Sequence, residues 1–115
     1  LVASVGLRPS HERLSLRPSP DDVAIADAEL RRLELGAGPW LLVHPGATAP
    51  SRRYPPESFA RVVRSLVREH AIAVALTGSA DEVGLVDEIR AAAGVRAHSL
   101  AGRLSLGALA AAIGR

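Results

Sequence analysis

The 115 residues contain no cysteine, no methionine and no lysine; all 14 basic residues are arginine. Without cysteine there is no disulfide scaffold, no thiolate-ligated zinc site and no thiol chemistry, which fits a reducing compartment. Aromatics are nearly absent too. With only Trp40, Tyr54 and Phe59, the core implied by an apolar content of 48% must be built from Leu, Val, Ile and Ala. Helices packed on a sheet make such a core. Nucleic-acid binders carry a basic stripe with aromatic platforms. Here the arginines are scattered, adjacent only at 31–32 and 52–53, and the formal charge is +2 at pH 7 despite a pI of 10.4. Nucleic acid is therefore not an expected partner. No apolar run approaches the roughly 20 residues that span a bilayer, and "LVASVG" is too short for a signal peptide. The expected location is the cytoplasm. Histidines 11, 44, 70 and 98 are dispersed and the acids are not paired at ligand spacing, so no metal and no cofactor is expected. The chain begins at Leu1 rather than Met, which leads us to expect part of a longer protein.

What is present is a regular alternation. "LVASVG" reads as a short strand or the end of one, and "LRPSHERLSLRPSP", with three prolines, as a connector. Residues 1–20 are thus assigned to a strand end and connector, and residues 21–115 to one domain. "SPDDVAIADAELRRLELG" predicts a helix capped at Ser19, with Pro20 at its first position and a stop at Gly36 or Gly38. "WLLVH" (40–44) is a short unalternating apolar run, as in a strand covered on both faces. "PPESFARVVRSLVREH" (55–70) sets Phe59, Val62, Val63, Leu66 and Val67 at helical spacing opposite Arg61, Arg64 and Arg68, which predicts burial of Phe59, Val63 and Leu66. "IAVALTG" (72–78) predicts a second strand and "SADEVGLVDEIRAAAG" a second helix ending at Gly94. "AHSLAG" and "SLGALAAAIG" predict a third strand and helix. This order predicts an α/β fold, a Rossmann-like parallel sheet with helices on both faces. Residues 95–115 are expected to pack less securely than 40–94, because no strand follows the last helix.

In open α/β sheets, ligands bind at the carboxyl ends of the strands, so three loops matter. In "HPGATAPSRRYPP", Gly46 allows close backbone approach, Thr48 and Ser51 offer hydroxyls, and Arg52 and Arg53 offer planar forks for phosphate oxygens. The helix start near Pro56 adds a positive dipole end. A phosphate or diphosphate guest and a merely solvated turn are both open at this point. His44 reads as a hydrogen-bonded structural residue rather than a catalyst. In "TGSADE", after Gly78, Asp81 and Glu82 are either first-turn acids of a helix or acceptors for a ribose. In "LAGRLS", Ser105 reads as a cap, Gly102 as a tight turn and Arg103 as structural. Neither GxGxxG nor GxxxxGK[ST] occurs, which argues against ordinary dinucleotide and P-loop sites.

In order and spacing, "HPGAT", "RRYPPESFA", "LTGSADE" and "LAGRLSLGALAAAI" resemble the C-terminal domain of glycosyltransferase family 9, the ADP-heptose:lipopolysaccharide heptosyltransferases. The resemblance covers residues 40 to 114. It implies the incomplete C-terminal half of a two-domain GT-B enzyme that transfers a sugar from a nucleoside-diphosphate donor to a saccharide or glycolipid hydroxyl. Carried over, Thr48 and Arg52 would contact the donor diphosphate, and Asp81 or Glu82 would lie near the ribose. Gly46, Ser51, Arg53 and Gly78 complete the candidate donor-binding set. Many members have Lys where Arg52 stands and Trp where Tyr54 stands. The family's D-T-G-x-x-H loop and its catalytic base would lie outside residues 1–115, so no catalytic residue is assigned here and the segment alone is expected to be inactive. Peripheral association with the inner face of the cytoplasmic membrane would come through parts outside the chain. Two other classes remain: a different GT-B sugar-nucleotide enzyme, such as an epimerase, and a non-catalytic α/β module binding a nucleotide or a protein.

Overall fold

Helix α1 (Pro20–Arg32) begins where the sequence places its cap. In the computed structural model, which describes residue 6 and residues 16–115, Ser19 and Asp22 form a reciprocal capping box. The Asp22 amide donates to Ser19 Oγ at 3.1 Å, and the Asp22 carboxylate accepts from the Ser19 amide at 3.1 Å and from its hydroxyl at 2.8 Å. The strand expected in "LVASVG" and most of the connector lie outside the described residues. Helix α1 stops short of Gly36. Glu34 takes the left-handed conformation (φ 58°), and the Leu35 amide donates to the Leu30 carbonyl at 2.9 Å. Packing of Leu33 and Leu35 with Ala75 and Leu100 holds the turn in place.

Strands β1 (Trp40–Val43), β2 (Ala73–Leu76) and β3 (His98–Ser99) form a sheet of order β1-β2-β3. Both pairings are parallel, with Trp40 opposite Ala73 and Leu76 opposite Ser99. Helices α2 (Pro56–His70), α3 (Val83–Ala93) and α4 (Leu106–Ile113) follow the strands in turn. Alternation along β2 divides the core between two faces. Val74 and Leu76 join Ala60 and Val63 of α2 and Val86 and Ile89 of α3. Ala75, between them, turns to the opposite face with Leu33 and Leu100. On that side α1 and α4 meet through Ala26, Ala111 and Ala112. The expected α/β sheet with helices on both faces is the observed one. Gly94 ends α3 in the left-handed conformation (φ 62°), and the Ser105 hydroxyl caps α4 by accepting from the Ala108 amide at 3.0 Å.

Two expectations need correction. Strand β1 is not covered on both faces: Leu41 is 44% exposed, because β1 is an edge strand with a neighbour on one side only among the described residues. On α2, Val63 is fully buried, but Phe59 and Leu66 are only half-buried and Val62 is exposed. Ala60 and Val63 are the buried apolar residues of the helix, while Phe59 packs on the same core from its margin and meets Tyr54 edge-on, with ring centroids 5.4 Å apart and an interplanar angle of 87°. At the end of the chain, α4 keeps Leu106 and Ile113 exposed, at 73% and 68%. Helix α1 packs on it, and Arg103 and Arg115 reach back to Glu29 and Asp27.

Candidate functional site

The ends of the strands are laced together by backbone bonds. The Thr77 amide donates to the Val43 carbonyl and the Gly102 amide to the Gly78 carbonyl, each at 2.9 Å. The loops after β1, β2 and β3 therefore lie side by side, as the parallel topology requires.

In the first loop Pro45 is buried and a single 3-10 turn (Pro50–Arg52) closes with the Arg52 amide on the Ala49 carbonyl at 3.0 Å. The two arginines differ. Arg53 folds back, its Nε–H donating to the Ala47 carbonyl at 3.0 Å, so it braces the loop. Arg52, Thr48 and Ser51 are exposed, and among the described residues no carboxylate pairs with Arg52. The start of α2 has few donors to offer. Pro55 and Pro56 carry no N–H, and the amides of Ser58 and Phe59 already bond the Pro55 carbonyl. The Glu57 amide is what remains of the first turn, so this helix contributes field more than hydrogen bonds.

In the second loop Asp81 is exposed and Glu82 is not. The Glu82 carboxylate accepts from the Ser79 amide at 2.8 Å, so it serves as a helix-start acid. It also lies against Gly46, where a Cβ would collide with it, and a Cβ on Gly78 would come within 3.0 Å of it. Gly46, Gly78 and Glu82 are thus brought together across two loops. Asp81 faces solvent, apart from that contact.

The third loop is structural, as expected. Gly102 takes a φ of 69°, and Arg103 forms a two-pronged pair with Glu29, at 2.7 and 2.8 Å. Arg32 bonds the same carboxylate at 2.8 Å. Arg103 first, then Arg32, hold the Glu29 carboxyl down at about 2.

His44 has no hydrogen-bond partner among the described residues, contrary to expectation. It is exposed at the rim of a cleft of about 400 Å³, with Trp40, Leu42, Thr77, Leu109 and Ile113. Side chains at positions 40, 42 and 44 share one face of β1, and that face meets α4. The cleft was not foreseen because its walls come from β1, β2 and α4; the one available sign was a polar residue ending each of two apolar strands. A second hollow lies at the opposite ends of the strands, beside Ala73, Arg96 and His98. It is a poor anion site. Arg96 is paired with Glu34 at 3.1 Å, and burial, then Arg96 and Arg90, hold the His98 imidazole below its usual range. Among the described residues no group of three or more His, Asp or Glu side chains could hold a metal ion, and no helix is long and apolar enough to cross a membrane.

The family model of glycosyltransferase family 9 (heptosyltransferase) matches residues 9–115, so the chain belongs to that family. No curated protein matches it at a significant level. Its fold is similar to that of the glycosyltransferase family 9 protein from Veillonella parvula DSM 2008, with a TM-score of 0.83 at 20% identity. That match covers 97% of this chain and 32% of the other. It is also similar to the ADP-heptose LPS heptosyltransferase II of E. coli, with a TM-score of 0.70 at 23% identity, over 92% of this chain and 33% of the other. The chain thus spans about a third of each solved structure. At these identities the likeness is one of fold.

Proposed function

We propose that the loop after β1 binds the diphosphate of a nucleoside-diphosphate sugar, as the donor side of a glycosyl transfer. Arg52 carries this reading: an exposed arginine without a carboxylate partner among the described residues, at the carboxyl end of a strand in an open α/β sheet. Thr48 and Ser51 stand with it as hydroxyl donors, and Gly46 and Gly78 lie where the two loops meet. Asp81 or Glu82 is the acceptor we assign to the ribose. Family membership, together with the likeness to the E. coli ADP-heptose LPS heptosyltransferase II, favours an ADP-linked heptose as donor and a saccharide or glycolipid as acceptor. The work would lie in the cytoplasm, at the inner face of the membrane when the acceptor is a glycolipid.

In the reaction the bond between the anomeric carbon and the diphosphate oxygen breaks, and an acceptor hydroxyl oxygen bonds that carbon. The hydroxyl proton goes to a base that we assign to a part of the enzyme outside this segment. Negative charge gathers on the departing diphosphate. Fixed positive groups aimed at it lower the barrier because they need no reorganisation when the bond breaks. Arg52 supplies that charge and a two-pronged geometry; Arg53 acts indirectly by holding the Ala47 carbonyl. No metal or cofactor is part of this scheme.

Titration of the full chain with ADP by calorimetry tests the assignment. Arg52→Ala is expected to weaken binding about tenfold to 150-fold, as loss of a charge-assisted contact of ~1.5–3 kcal/mol implies. Arg52→Lys should lose less, since it keeps the charge and gives up the fork. Arg61, exposed on α2 and bonded to Ser58 Oγ at 2.9 Å, is the control and should change affinity little. Equal affinity for wild type and Arg52→Ala would remove the diphosphate assignment, and an equal loss at Arg61 would reduce it to general positive charge.

A further inference from the structure

Gly46 and Gly78 both read in the sequence as glycines that a ligand needs. Their backbones do not need glycine: neither is among the residues with positive φ. What excludes a side chain at both is one carboxylate. A Cβ at Gly46 would overlap the Oε1 and Cδ of Glu82, and a Cβ at Gly78 would sit 3.0 Å from both the Cβ and Oε2 of the same residue. Glu82 is held there by its own bond, Oε2 accepting from the Ser79 amide at 2.8 Å. Its side chain therefore fills the hollow between the first and second loops, touching one and capping the helix after the other.

We propose that Glu82 is a positioning residue through which both glycines act: its carboxylate wedges between the loops and sets the first loop, with Thr48 and Arg52, in register with the second. This rests on the donor-site reading above. An alanine at position 46 would meet the movable end of a side chain rather than backbone. The first loop could keep its path, but the carboxylate would be expelled and the Ser79 amide would lose its acceptor. Gly46→Ala and Glu82→Ala should then remove the same contact.

A double-mutant cycle on the full chain tests this, with ADP and inorganic pyrophosphate as ligands and the unfolding midpoint as a third readout. Each single variant is expected to weaken both ligands by a similar factor, roughly twofold to thirtyfold, the range of a lost helix cap. The double variant should bind no more weakly than Glu82→Ala alone, because mutations that share one contact do not add. Glu82→Gln keeps the size and an acceptor for the Ser79 amide, and should weaken pyrophosphate less than Glu82→Ala does. If the double variant is weaker than Glu82→Ala by the full Gly46→Ala factor, the glycine serves the ligand directly and the proposal is overturned. It is overturned equally if Glu82→Ala weakens ADP while leaving pyrophosphate unchanged, which would make Glu82 a ribose contact only. Wild type binding neither ligand would remove the donor reading and the positioning role with it. Non-additive unfolding midpoints would still report Glu82 packed on Gly46, so the two failures are distinguishable.

Discussion

Helices α2 and α3 cover one face of the sheet with Val63, Val86 and Ile89, all fully buried, over Val74 and Leu76. Helices α1 and α4 meet on the other through Ala26, Ala111 and Ala112, and around those small contacts stand polar ties. Arg115 pairs with Asp27 at 2.7 and 2.8 Å, Arg103 with Glu29, and Ser105 Oγ donates to Asp22 at 2.8 Å. One side is held by aliphatic volume; on the other, Leu33 and Leu100 pack on the sheet while α1 and α4 approach closely through alanines and are tied by charge. The difference also sorts the arginines. Where α1 presents acids, Arg103 and Arg115 serve structure. Beside the loop after β1 the neighbouring acid, Glu82, is taken up by the Ser79 amide, and among the described residues no carboxylate pairs with Arg52.

The largest effect should come from breaking the aliphatic side. Ile89→Ala is expected to cost ~2–5 kcal/mol, the range for deleting a fully buried branched side chain, measured by denaturant unfolding. A cost near zero would mean that α3 is not pinned through its core. On the other side the informative change is enlargement. Ala26 is fully buried where α1 meets α4, so Ala26→Leu should overpack the contact and cost ~1–3 kcal/mol. If it is tolerated freely, the helices are held by their charges and not by close packing.

The smallest and most specific effect is acid weakening of the α1–α4 side. Glu29 titrates at about 2 in the folded chain against 4.5 ordinarily, chiefly through Arg103, then Arg32. Asp27 is also lowered, by its bonds to Arg115, and Asp22 by its bonds to Ser19 and then Ser105. Groups with a depressed folded pKa contribute stability that is fully present above their unfolded value and is lost as pH falls through the folded one. The Glu29 contribution should therefore fade between about pH 4.5 and pH 2. Thermal midpoints measured across that window should fall, and Arg103→Ala should flatten part of the fall. A midpoint that declines equally in wild type and Arg103→Ala would show that this pair is not what acid releases.

Much of the fold was legible because its causes are local. Apolar runs of strand length, a helical repeat from Phe59 to Val67, and stops or caps at Ser19, Gly94 and Ser105 are properties of a few neighbouring residues, and each fixed an element or its end. The order of those elements dictated a parallel sheet, and the sheet dictated that "HPGATAPSRRYPP" and "TGSADE" lie together at the strand ends. Tertiary placement decided the rest. Arg103 and Glu29 are 74 positions apart, so no spacing rule could pair them, nor separate Arg103 from Arg52 by role. Ala60 is buried while Phe59 packs on the same core only half-buried, because the closest approach of a helix is set by the surface it packs on and not by its own hydrophobicity. The demand for glycine at 46 comes from a carboxylate 36 positions on, at Glu82. Pattern along a chain reports what each segment can form; which side chains end in contact depends on how the segments are stacked, and only the folded sheet determines that.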